Sequence, residues 1–132
     1  MTNFNFSNVQ FEILDITTNA TPDIFINQTG ITFTKKVLDV LNYPANVQYL
    51  ISAEQNVFAI RSCKANDVKA VPFSKPKAEQ TATLTSKNKT IIEVLKKLIN
   101  EYDGSKRYKV EGQYDNNSKT IYFEMNKATI TD

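Results

Sequence analysis

Asn27-Gln-Thr-Gly-Ile-Thr-Phe-Thr-Lys-Lys-Val-Leu-Asp-Val-Leu-Asn-Tyr-Pro44 leads into the apolar runs Val47–Ile51 and Val57–Ile60, and the expected architecture grows from this segment. Asn27–Gly30 is turn chemistry between two short extended runs, Ile24–Ile26 and Ile31–Phe33, which should pair as a hairpin. Thr34 is placed as an N-cap, with a hydroxyl able to accept from the free N–H groups of a first turn. Val37, Leu38 and Leu41 then share one side of a two-turn helix. Asn42 tolerates the left-handed conformation of a helix end, and Pro44 cannot continue the helix. Val47, Tyr49 and Ile51 alternate along one face, as do Phe58 and Ile60, so this pair reads as a second hairpin closed by Ser52–Asn56.

A weaker copy of this strand, helix and hairpin pattern follows. Ala82–Thr85 reads as a strand and Lys87–Tyr102 as a helix whose apolar face carries Ile91, Val94, Leu95, Leu98 and Tyr102, widened by Ile92 and Ile99. Lys106–Tyr114 and Thr120–Met125 read as strands around the turn residues 115–118. Val-Leu-x-x-Leu occurs in both helices, at Val37, Leu38 and Leu41 and at Val94, Leu95 and Leu98. Before the first unit, Val9, Phe11 and Ile13 alternate with Gln10 and Glu12 and predict a strand near Ser7–Ile16. Between the units, residues 64–80 carry Pro72, Pro76 and several lysines, with Phe73 the one large apolar side chain able to pin the segment down. An ordered loop and a mobile tether both fit that composition. The expected class is therefore α+β: a β-rich barrel or sheet in one domain, built from two tandem β-α-β-β units plus an N-terminal strand. The first unit with its strand occupies 1–63, a basic arm 64–80, and the second unit 81–132.

Composition narrows the function. The 132 residues are 41% hydrophobic and 23% charged, the balance of a soluble globular domain, and no apolar run is long enough to span a bilayer, so no membrane role is expected. The N-terminus has neither the basic nor the apolar region of an export signal, and a single cysteine, Cys63, cannot form an internal disulfide. Both point to the cytoplasm, of a bacterium or a phage-infected cell on its Asn-, Lys- and Ile-heavy usage. There is no histidine, which removes Ser-His and Cys-His nucleophile pairs and nearly all zinc patterns. The acids are scattered without metal-ligand or acid/base spacing, and three separated glycines cannot build a phosphate loop. Arg61 stands near Cys63 and could lower its thiol pKa, although a small apolar residue at a strand end is the simpler reading. No catalytic residue, metal site or cofactor is expected, and the chain reads as a non-enzyme.

The remaining signal is basic residues among aromatics. Net charge is only +2, but the first thirty-four residues hold no cation, and cations gather afterwards. Lys106, Arg107, Tyr108 and Lys109 lie beside Tyr114 and Tyr122, and Lys75 and Lys77 lie in the arm. On a strand, Arg107 and Lys109 would share one face and Tyr108 and Val110 the other. An aromatic surface flanked by cations can stack bases.

Residues 29–61 resemble the AbrB-like swapped-hairpin family of DNA-binding proteins, whose pattern is roughly Gly-Arg-Ile-Thr-Ile-Pro-Lys, a helix ending in Leu-Gly, and two strands. Ile31, Thr32, Phe33 and Lys35 match, and Leu41 and Asn42 stand at the Leu-Gly position. Gly30 replaces the family's Arg, Thr34 its Pro, and Leu38 a helix position that is usually Arg. The resemblance implies an intertwined β-rich barrel, a homo-oligomer, and DNA as partner. The expected function is that of an accessory or regulatory protein binding nucleic acid through Lys35, Lys36, Arg61, Lys75, Lys77, Lys106, Arg107, Tyr108 and Lys109. The alternative is an oligomeric, phage-type binding protein that sequesters a nucleotide-like anion between subunits, through Arg61, Arg107 and tyrosines, or inhibits a partner protein.

Overall fold

The computed structural model describes residues 10, 21–80 and 82–131. The strand expected near Ser7–Ile16 and most of the turn after it lie outside them. Strand β1 (Ile24–Ile26) pairs antiparallel with β2 (Ile31–Phe33), as the turn chemistry predicts. The Asn27 side chain makes this turn: its Oδ1 accepts from the N–H groups of Thr29 at 2.9 Å and Gly30 at 2.8 Å.

Helix α1 (Lys35–Val40) buries Val37 and Leu38 on the expected side, with Leu41 just beyond its end. Thr34 sits at the N-cap position without capping. Its hydroxyl donates instead to the Asp23 carbonyl at 2.8 Å, fastening the helix start to the chain entering β1. Asn42 and Tyr43 both take positive φ, 62° and 50°, and the Tyr43 N–H closes on the Leu38 carbonyl at 2.8 Å. The next two strands, β3 (Asn46–Ser52) and β4 (Val57–Ser62), form the second expected hairpin.

Residues 64–80 form an ordered strap. Within it, β5 (Val71–Pro72) pairs with the start of β3, and Ser74 donates from both its N–H and its hydroxyl to the Pro44 carbonyl. Phe73 meets Phe33 edge-on, with ring centroids 5.1 Å apart. Pro72 is tolerated because β5 is the outermost strand of its sheet.

After β6 (Leu84–Ser86), helix α2 (Lys89–Leu98) is capped by Asn88, whose side chain accepts from the Thr90 and Ile91 N–H groups. The helix is shorter at both ends than its apolar pattern suggests. Ile99 is already extended and Glu101 has φ 55°, yet Ile99 stays buried because the departing chain keeps the same inward side.

The sequence reads 106–114 as one strand; the structure has two. The first, β7 (Arg107–Val110), pairs with β1, and the second, β8 (Gly112–Asp115), pairs in the other sheet with β9 (Thr120–Glu124). Alternation cannot reveal this crossing. Tyr108, Val110 and Gly112 are all buried, because both sheets bury their faces in the same core. Glycine is required at the crossing for space: a Cβ on residue 112 would stand 2.5 Å from the Pro22 carbonyl oxygen and 2.7 Å from the Phe123 ring. A short helical turn (Met125–Lys127) then leads to β10 (Thr129–Thr131), a strand absent from the sequence reading. Its central Ile130 is 58% exposed and supplies little apolar signal.

The result is a sheet-rich α+β architecture with two helices and two five-stranded antiparallel sheets, ordered β10-β7-β1-β2-β6 and β5-β3-β4-β9-β8. Stacked and tilted rings of Phe33, Tyr49, Phe58 and Phe123 run from the first sheet into the second, with neighbouring centroids 5.6–6.3 Å apart. Among the described residues, no helix is long and apolar enough to cross a membrane.

Candidate nucleic-acid interface

Strand alternation builds a site on the outer face of the first sheet. Ile24, Ile26, Ile31, Phe33, Tyr108 and Val110 go inward, so Phe25, Thr32, Arg107 and Lys109 must go outward. Pairing registers place Thr129, Lys109, Phe25, Thr32 and Thr85 in one continuous row across all five strands, with Thr131 opposite Arg107. The Arg107 guanidinium carbon lies 4.0 Å from the centre of the Phe25 ring. Such a cation–π contact is worth about 0.5–1 kcal/mol at an exposed site, and it holds a flexible side chain flat against the sheet. The hydroxyls of Thr32 and Thr85 lie 3.3 Å apart. Lys109 approaches the Glu111 carboxylate at 3.7 Å, a solvent-screened pair that a polyanion can displace.

Of the expected site residues, Arg107 and Lys109 come together here, while Lys106 stands in the turn before β7, its N–H on the Asp103 carbonyl. Tyr108 does not join them. It is 4% exposed, its ring stacks on Tyr102, and its hydroxyl accepts from the Asp103 N–H at 2.8 Å, so it is a core residue and cannot stack on a base. Lys35 and Lys36 occupy the first turn of α1, with Lys36 half-buried. Lys75 and Lys77 lie in the strap, where the Lys75 N–H is held by Gln80. Arg61 is on β4 of the second sheet, bonded through Nε to Gln48 at 2.8 Å, so one chain does not bring Arg61 and Arg107 to a common pocket. The aromatic on this face is Phe25, which sequence reasoning missed. Its signal was present: in Ile24-Phe25-Ile26 the isoleucines fill the core, so the strand period sends the ring out.

Elsewhere, Cys63 shows no activation. Burial and the neighbouring Asp67 push its thiol pKa up, against a smaller lowering by Arg61. The described residues contain no group of three or more acidic or cysteine side chains able to hold a metal ion. No family model, curated protein or solved structure matches the chain.

Proposed function

We propose that the protein binds single-stranded nucleic acid on the outer face of its first sheet and acts by occupancy, without a catalytic step, as an accessory or regulatory protein. The Arg107–Phe25 stack carries this reading. A planar cation held flat on a sheet offers a surface on which a base can stack, while Lys109 beside it suits a phosphate and the threonine row supplies donors and acceptors. The resemblance of residues 29–61 to a DNA-binding family points the same way. A tandem origin of the two units belongs to the same proposal and would explain why β2 lies against β6, and β4 against β9, each pair antiparallel.

Fluorescence anisotropy with labelled single-stranded DNA and RNA across a salt series tests this. With two cations engaged, Arg107 and Lys109, log K should fall against log salt with a slope of about −1.4. Replacing Phe25 or Arg107 by Ala should each weaken binding roughly tenfold, in line with about 1–3 kcal/mol per stacked base. Affinity insensitive to salt, or equal in Phe25→Ala and wild type, would overturn the proposal.

A further inference from the structure

The second sheet carries a different recess on its own outer face, which meets the first-sheet row at Tyr122 and Glu124, since these two also line a cleft with Lys109 and Thr129. Leu50, Ala59 and Tyr122 stand directly opposite one another across β3, β4 and β9, and the row beside them is Gln48, Arg61 and Thr120. Ala59, between two large neighbours, leaves a hollow. The groove has a volume of about 560 Å³, with Leu50, Val57 and Ala59 among its lining, Tyr122 along it and Arg61 at one end. Tyr122, 39% exposed, offers its ring, and its hydroxyl lies 3.3 Å from that of Ser118.

Arg61 is held in place. The Gln48 amide is clamped at both ends, its Nε2 donating to the Val68 carbonyl at 2.7 Å while its Oε1 accepts from Arg61 Nε at 2.8 Å. That bond uses one of the five guanidinium donors and sets the plane of the rest, the fork geometry that suits a carboxylate. At the other end, Glu124 is paired with Lys127 at 3.0 Å, so the acid there is already balanced. The polarity of the groove therefore runs from an oriented cation to an apolar floor.

We infer that this groove binds a monocarboxylate with an apolar or aromatic body, its head on Arg61 and its body over Ala59 beside Tyr122. Arg61 and Ala59 are two residues apart on β4, about 6.6 Å, which sets the distance from head to body and matches a ring joined to a carboxylate by a short linker. This proposal turns on Arg61 and the nucleic-acid reading on Arg107 and Phe25, so either can fail alone.

The test uses phenylpropionate as probe, with phenylpropanol (same body, no charge) and inorganic phosphate (charge, no body) as controls, read by amide chemical-shift changes and thermal shift. Phenylpropionate should perturb Ala59, Arg61 and Tyr122 in a saturable way, with each control binding at least tenfold more weakly. Arg61→Gln should lower its affinity tenfold or more without altering the response to phenylpropanol. Gln48→Ala keeps the charge and should lower affinity several-fold by freeing the guanidinium. Ala59→Leu should fill the hollow and abolish binding, with Tyr122→Ala as a second probe of the floor should the leucine variant fail to fold. Equal binding of phosphate, unchanged affinity in Arg61→Gln, or a groove closed by a second copy, seen as a dimer mass that Ala59→Leu reduces, would overturn the inference.

Discussion

Tyr102 and Tyr108 stack with ring centroids 5.1 Å apart and planes inclined by 29°, yet their hydroxyls have opposite fates. Tyr108 accepts from the Asp103 N–H, whereas the buried Tyr102 oxygen has no hydrogen-bond partner among the described residues. One phenol therefore closes the turn after α2 and the other is carried without a bond. Replacing Tyr108 by Phe should destabilise by about 1–2 kcal/mol, because a backbone donor loses its acceptor. Tyr102→Phe removes an unsatisfied group and should be neutral or stabilising by up to about 1 kcal/mol. Urea unfolding of the two variants checks both signs, and equal losses would contradict the assignment.

Gly112→Ala should destabilise by about 1–3 kcal/mol, the usual range for overpacking. The added methyl would meet a backbone carbonyl and two core side chains at 2.5–2.8 Å. Since Gly112 is not among the positive-φ positions, the strain is of space and not of backbone conformation. Gly30→Ala, whose nearest neighbours would be 3.4 Å away, serves as the mild control.

Burial pushes the Tyr49 phenol up to about 12 from its ordinary 10.0. The neutral form is the one the fold prefers. Its contribution is therefore complete below the unfolded value and is lost as the pH climbs from 10.0 through about 12. Between about pH 9 and about pH 11 the wild type should lose roughly 1.4 kcal/mol that Tyr49→Phe retains, by the linkage of protonation to stability. Parallel denaturant titrations of both proteins at the two pH values measure the difference, and superimposable alkaline limbs would refute it.

Asn88→Ala should cost about 1 kcal/mol by stripping the cap from α2, since the Asn88 side chain serves two N–H groups of the first turn, Thr90 at 2.9 Å and Ile91 at 3.3 Å. Thr34→Val, at the N-cap position of α1, should act differently. It removes a tie to the Asp23 carbonyl and should loosen the junction with β1 more than the helix. Amide exchange at residues 23–26 and 35–40 separates the two effects.

What could be read from the letters was whatever is local. The hairpin at Asn27–Gly30, the stop at Asn42 and the β3–β4 pairing each depend on residues within a few positions of one another, and each was expected where it stands. The crossing at Gly112 was hidden because an inward side chain has the same period whichever sheet it serves. The outer face of β7 was half legible: Arg107 and Lys109 were placed on one face, but Tyr108 was credited with an outward role that the same alternation denied it. Phe25 was passed over because a ring between two isoleucines resembles one more core residue. Thr34 illustrates a competing bond, since its hydroxyl had two available partners and took the one distant in sequence.

Strand β1 lies between β2, its neighbour along the chain, and β7, which follows more than eighty positions later. During synthesis the first hairpin must therefore wait, its second edge open, until residues 107–110 leave the ribosome, and β4 waits likewise for β9. Assembly of both sheets is thus a late event, with loop closure preceding the contacts that reward it. In that interval the nascent chain exposes Ile24, Ile26 and Phe58, and it is then, before either outer face exists, that it is most in need of a chaperone.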